Sequence, residues 1–189
     1  RKIHLGKCLE ENNLDDISYK GNYCDIIGDT QKELEDNFSE ELKSIASKFD
    51  MKCNELIAKV KHEYNGYNFG DNNLLYNPWD INNLINKKEF GHYWASTGIP
   101  SAISDYVAEN AIDIQRIIDK EKNGKLIIKE MDLKVHNLKN LKSEILFLNA
   151  GYLTIKEKIQ EELYKLKFPN NETEQVMMNY FLDLSMQNN

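Results

Sequence analysis

The run from Tyr64 to Trp79 reads Tyr-Asn-Gly-Tyr-Asn-Phe-Gly-Asp-Asn-Asn-Leu-Leu-Tyr-Asn-Pro-Trp, and no helix can pass through it. Gly66 and Gly70 supply the backbone freedom that ends helices and makes tight turns, and Pro78 has no N–H to continue a helical ladder. Tyr67 and Phe69 alternate with Asn68 as in a short strand, residues 70–73 form a turn, and Leu74-Leu75-Tyr76 reads as a return strand. Asn77-Pro78 is the expected N-cap and first position of a new helix. The stretch is thus a hairpin between helical regions, and it sets the plan of the chain.

Upstream, residues 1–29 have no clear period. Asn12-Asn13-Leu14-Asp15-Asp16-Ile17-Ser18 is rich in turn formers, and Tyr23, Ile26 and Ile27 are expected to tuck against the domain. Thr30-Gln31-Lys32-Glu33 is a capping box. Leu34, Phe38, Leu42, Ile45 and Phe49 then recur at spacings of four and three, which predicts one amphipathic helix with Glu35, Asp36, Glu40 and Lys43 on its wet face. A second helix is expected over Asn54–Glu63, burying Leu56, Ile57 and Val60.

Downstream, Ile81, Leu84 and Ile85 mark the inner face of a helix that stops near Lys87-Lys88. Phe90-Gly91-His92-Tyr93-Trp94 is a second aromatic knot. Ile103, Tyr106 and Val107, then Ile112, Ile114, Ile117 and Ile118, continue a helical pattern to about Lys120. Residues 121–124 are a polar break, and Lys125–Lys129 reads as a strand. Leu138, Leu141, Ile145 and Leu148 predict a long helix ending near Ala150-Gly151. Two strands, 152–156 and 163–168, follow around a polar turn. Asn171-Glu172-Thr173-Glu174 reads as a capping box for a terminal helix with Val176, Met177, Tyr180, Phe181 and Leu184 inward. The fold class is therefore mainly α with small β-hairpins, an α+β helical bundle. A boundary near Asn123-Gly124 divides it into 1–122, helical, and 123–189, helix plus hairpin.

Charge and composition narrow the function. A net charge of −7 argues against a dominant nucleic-acid surface, which rests on clustered Lys and Arg. No apolar run approaches the ~20 residues that span a bilayer, and there is no signal peptide. Cys8, Cys24 and Cys53 are too few and too far apart for a zinc site or a disulfide framework, which fits a reducing compartment. His4, His62, His92 and His136 are scattered, as surface or helix-end histidines are. Two arginines against 22 lysines, with abundant Asn and Ile, point to an AT-rich genome. The chain starts at Arg1 in mid-pattern, as a fragment or a processed piece would.

No catalytic constellation is legible, and no catalytic, cofactor-binding or metal-binding residue is assigned. Asn123-Gly124-Lys125 lacks the spacing and the hydroxyl residue of a phosphate-cradling loop. Asp132-x-Lys134, beside a candidate strand, has the outline of a metal-dependent nuclease motif; in a chain rich in Asp and Lys it reads more simply as a solvated loop. Asp15-Asp16 and Asp71 lack calcium-loop spacing. The aromatic cluster Tyr64, Tyr67, Phe69, Tyr76, Trp79, Tyr93 and Trp94 has two readings. It is either a packed knot with its hydroxyl and indole groups satisfied, or an interaction surface for a base or a protein partner.

Five segments occur in a telling order: Tyr64-Asn-Gly-Tyr-Asn-Phe69, Tyr76-Asn-Pro-Trp-Asp-Ile81, Tyr93-Trp94-x-x-Thr97-Gly98, Gly151-Tyr-Leu-Thr-Ile155 and Pro169-Asn-x-Glu172. Together they resemble the C-terminal part of the predicted AAA-ATPase-like family, whose members carry a PD-(D/E)XK nuclease-like domain further on. Asn12–Ser18 and Gly28-x-Thr30-x-x-Glu33 share the likeness, which extends over nearly the whole chain. The resemblance implies a helical lid followed by a winged-helix-like part. The family's P-loop would lie before Arg1 and its nuclease-like domain after Asn189. It therefore implies a non-enzymatic module of a larger bacterial protein, with no cofactor of its own, that contacts a protein partner or other domains of its parent chain. Nucleic-acid contact by the 151–168 hairpin is the alternative. Modules of this kind also resemble parts of large effectors and toxins of intracellular bacteria, so the implied location is the bacterial cytoplasm or a host cell.

Overall fold

The structure, a computed structural model, describes residues 23–69, 73–94, 99–133 and 141–187. Helices dominate, with one two-stranded and one three-stranded antiparallel sheet, so the chain is α+β as its patterns predict.

Two apolar cores organise the helices. The first is built by α1 (Gln31–Asn37), α2 (Ser39–Lys48), α3 (Cys53–Tyr64) and α4 (Pro78–Lys87), which bury Leu34, Leu42, Ile45, Leu56, Val60, Ile81 and Leu84 together with Tyr64, Tyr76 and Tyr93. The capping box at Thr30 forms as expected, its hydroxyl accepting from the Glu33 N–H and Glu33 accepting from the Thr30 N–H. The helix it starts does not run unbroken to Phe49. Phe38, at φ −123° and ψ 26°, leaves helical space and separates α1 from α2, so its ring packs on this core from a bend. Phe49 lies at the surface, edge-on to Phe90 with ring centroids 5.5 Å apart. Each fully buried Leu or Ile here contributes about 1.5–3 kcal/mol of transfer free energy.

The second core gathers α5 (Ser101–Glu109), α6 (Ile114–Lys122), α8 (Ser143–Ala150), α9 (Asn171–Gln187) and the sheet β3–β5–β4. Its centre is α8, which buries Ile145, Leu146, Phe147, Leu148 and Ala150, apolar on nearly every side. This helix is shorter than the expected one, and Leu138 lies outside the described residues. It ends on Gly151 in the left-handed conformation, φ 88°. Strands β3 (Ile127–Lys129), β4 (Thr154–Gln160) and β5 (Leu163–Lys167) pair antiparallel, burying Ile128, Ile155 and Leu166 on one face. The terminal helix is capped one residue earlier than expected. Asn170 is the N-cap, its Oδ1 accepting from the Thr173 N–H at 3.0 Å, and Glu172 is turned into the protein.

Residues 23–30 correct a second expectation. Tyr23, Ile26 and Ile27 are exposed, and it is Cys24 that is buried, its thiol donating to the Phe69 carbonyl at 2.9 Å. Asp29 then bridges to Tyr76 and extends the small sheet of β1 (Asn65–Tyr67) and β2 (Leu75–Tyr76). Asp132 corrects a third. It belongs not to a solvated loop but to the short helix α7 (Glu130–Leu133), where it is buried, accepts from the Lys129 N–H and pairs with Lys142 at 2.8 Å. Lys134 lies outside the described residues, as do Asp15, Asp16 and Asp71.

Candidate functional site

The seven aromatic residues singled out in the sequence do not form one knot. Tyr64, Tyr76 and Tyr93 are core residues of the first cluster. Tyr64 exchanges two hydrogen bonds with Gly91, donating to its carbonyl at 2.8 Å and accepting from its N–H at 3.0 Å. Tyr76 donates to Gln31 Oε1 at 2.6 Å. Trp94 packs on the second core, its ring 4.8 Å from that of Tyr152. Tyr67 and Phe69 are half-buried. Trp79 stands apart: 56% of it is exposed, and its indole N–H reaches the Tyr93 carbonyl at 3.4 Å. Its ring is not a core ring.

What brings these segments together is a seam between the two cores, built from backbone and small polar groups. Gly66, at φ +130°, lies so close to β5's end that a Cβ there would sit 2.0 Å from the Pro169 carbonyl oxygen. Two residues on, Asn68 exchanges hydrogen bonds with Thr154, whose hydroxyl accepts from the Asn68 N–H at 2.7 Å and donates to its carbonyl at 3.2 Å. A Cβ on Gly151 would touch both Trp94 and Tyr67. Asn171 donates to Glu63 at 2.8 Å, tying α9 to α3.

At the middle of the seam lie two carboxyl groups with no exposed surface, Asp80 and Glu172. Asp80 comes from the first turn of α4 and Glu172 from the first turn of α9, so each sits at the positive end of a helix. Both accept from a single donor, the Trp94 N–H, at 2.9 Å each. Burial, then the neighbouring Glu172 charge, push the Asp80 carboxyl up to about 8, while the Trp94 N–H pulls the other way. Burial and then these same acids also raise the Tyr67 hydroxyl well above its ordinary value. Such a pair can hold a proton near neutrality, but its burial gives it no open face for a substrate.

A cleft of about 340 Å³ opens beside the seam, lined among others by Lys61, Asn65, Glu121, Lys167, Asn170 and Glu174. Burial, then Lys156, lower the Lys167 ammonium, and burial, then Glu174, raise the Glu121 carboxyl. The lining balances cations against acids and selects neither sign of ligand. Among the described residues no cluster of three or more His, Cys, Asp or Glu is arranged to hold a metal ion.

Asp80, Glu172, Thr154 and Asn170 were not singled out as site residues from the sequence. The signal was present but faint: an acid directly after Asn-Pro-Trp, an acid three residues after Pro169, and a threonine between Leu153 and Ile155.

Over 164 residues, 85% of its length, the chain is 29% identical to the "uncharacterized protein in vnfD 5'region" of Azotobacter chroococcum mcd 1. The chain spans 28% of the length of that protein. No family model and no solved structure matches it.

Proposed function

We propose that the chain is a non-catalytic, AAA-ATPase-like module of a larger bacterial protein, working through contact with a protein partner or with other domains of its parent. The observation that carries this reading is the use to which the five resembling segments are put. Their glycines, asparagines, rings and acids are spent on joining two cores: Gly66 on Pro169, Asn68 on Thr154, Gly151 beside Trp94, and Asp80 with Glu172 about the Trp94 N–H. Residues held in this way are shielded from substrate. A relative several times longer than the matched stretch is in keeping with a module of a larger protein. Trp79, a large exposed ring on a rigid helix start, is the natural anchor for a partner. In this reading the 123–189 part is winged-helix-like, and the module serves in the bacterial cytoplasm or, in an effector or toxin, in a host cell. Among the described residues no helix is long and apolar enough to cross a membrane.

The alternative, nucleic-acid contact by the β4–β5 hairpin, draws on Lys156, Lys158, Lys165 and Lys167. Lys165 faces Glu157 at 3.6 Å and Lys158 faces Glu130 at 3.9 Å, which weakens the field that phosphates would feel. One set of measurements separates the readings. The chain is expected to hydrolyse no ATP and to show no salt-dependent binding to a fluorescent DNA duplex. Cross-linking of the full-length parent is expected to join Lys87 or Lys88, at the C-terminal end of the Trp79 helix, to another domain or protein, and Trp79→Asp is expected to remove that link. Duplex binding lost on Lys156→Glu/Lys158→Glu would overturn the proposal in favour of the alternative.

A further inference from the structure

The Asp80–Glu172 pair has a geometry that bears on how the two cores stay together. Asp80 belongs to a helix of the first core and Glu172 to a helix of the second. Each carboxyl uses one oxygen on the Trp94 N–H. The other oxygen of Asp80 is fully buried and accepts no hydrogen bond. The Glu172 carboxyl is the charged group nearest in effect to Asp80, close enough that a proton between them would bond the two. Two carboxylates have no hydrogen to share; a carboxylic acid and a carboxylate do. The groups that face the pair from the packed elements are Tyr67 from β1, Tyr64 from α3 and Tyr93 after α4, all hydroxyls that feel both acids. Among the described residues, the groups acting on Asp80 include no lysine, arginine or histidine, and residues 95–98 (Ala-Ser-Thr-Gly) carry no ionisable side chain.

We propose that Asp80 and Glu172 form a proton-operated clasp between the two cores, closed while one proton is shared by the two carboxyls and loosened when that proton leaves. In the closed state the Asp80 hydroxyl donates to a Glu172 oxygen, and each acid keeps its bond from Trp94. When the proton leaves for solvent, two negative charges face each other in a buried seam, one on each core.

The direction of the pH effect follows from linkage. An acid whose native value is raised holds its proton more tightly folded than unfolded. Stability is therefore greatest below the ordinary carboxylate range and falls as pH rises toward the native value of about 8 for Asp80. Within that window the opening constant rises by up to about tenfold per pH unit. Asp80→Asn tests it, because the amide is permanently neutral, still offers an oxygen to Trp94 and donates an N–H to Glu172. Hydrogen exchange between pH 5 and 8, corrected for the intrinsic rate, is expected to show protection at 78–94 and 168–176 falling with pH in the wild type. The same segments are expected to hold their protection in Asp80→Asn, which should also melt above the wild type at pH 9. Parallel pH profiles for the two proteins would overturn the clasp. If Asp80→Asn does not fold, carboxyl carbon NMR of the wild type decides: one Asp or Glu titrating above pH 6.5 supports the shared proton, and titration of every carboxyl below about pH 5 refutes it.

Discussion

Replacing Gly66 by Ala probes the seam where it is tightest. At φ +130° the backbone occupies a region that L-residues rarely enter, which carries about 1–3 kcal/mol of strain for Ala. The new methyl would also sit 2.0 Å from the Pro169 carbonyl oxygen and 2.8 Å from its carbon. Both are backbone atoms, so the clash is relieved only by moving β1 away from the start of α9, at a further cost of about 1–3 kcal/mol. Together these give about 2–6 kcal/mol, and at roughly 2–4 °C per kcal/mol for a chain of this size the melting temperature falls by about 5–20 °C. Gly124→Ala is the matched control. Its φ is +64°, but the nearest atoms are Nζ and Cε of Lys165 at 3.0 and 3.2 Å, the far end of a side chain that can swing away. Only the left-handed backbone term remains, about 1–2 kcal/mol. Thermal melts followed by circular dichroism, with urea denaturation for the free energies, compare the three proteins. If Gly66→Ala loses no more stability than Gly124→Ala, the two backbones are not in contact and the seam argued above is wrong.

Three further measurements test other parts of the structure. Thr154→Val keeps the shape of the side chain but removes both bonds to Asn68; urea denaturation is expected to show a loss of about 2–3 kcal/mol, while Thr154→Ser, which keeps the hydroxyl, stays closer to the wild type. Trp79→Ala is expected to change stability by only about 0.5 kcal/mol, because the ring is mostly exposed; a loss of 3 kcal/mol or more would show that it is buried against something. Asn77→Ala removes the side-chain cap on the Trp79 N–H and is expected to cost about 1 kcal/mol, with Asn77→Asp restoring it.

The elements were legible where one local rule fixes them. The capping box at Thr30, the Asn77-Pro78 helix start, the glycine at 151 and the β4–β5 pair could be read directly, since each depends on a few consecutive residues. Errors arose where a distant partner overrules the local pattern. Leu34 to Phe49 keeps a helical period across the bend at Phe38, because both helices present their apolar faces to the same core. Asn171 and Asn170 are equivalent as caps by composition; the choice of Asn170 follows from Asn171 being used on Glu63 of α3, 108 positions away. Ile26 and Ile27 looked internal because they are apolar, yet among the described residues 23–27 it is Cys24 that is buried. Trp79 shows the same limit from the other side: its neighbours Asp80 and Ile81 are fully buried while the tryptophan itself faces out.

The seam explains why polar groups rather than apolar ones carry the recognisable pattern of this chain. Two cores built from short helices leave many chain ends, and each end leaves backbone groups without a ladder partner. Here the ends meet: α4 and α9 begin at the seam, β1 passes through it, and β4 starts there. An apolar filling would strand those N–H and C=O groups, at about 1–3 kcal/mol for each one left buried and unsatisfied. A threonine hydroxyl that both donates and accepts, an asparagine cap, and two acids about one N–H meet that demand with few atoms. They also make it specific, because each group works only in one register of one half against the other. Such residues tolerate little substitution for reasons of folding alone. The Asn, Gly, Thr, Asp and Glu of the five resembling segments are, in this chain, the groups by which two small cores are joined.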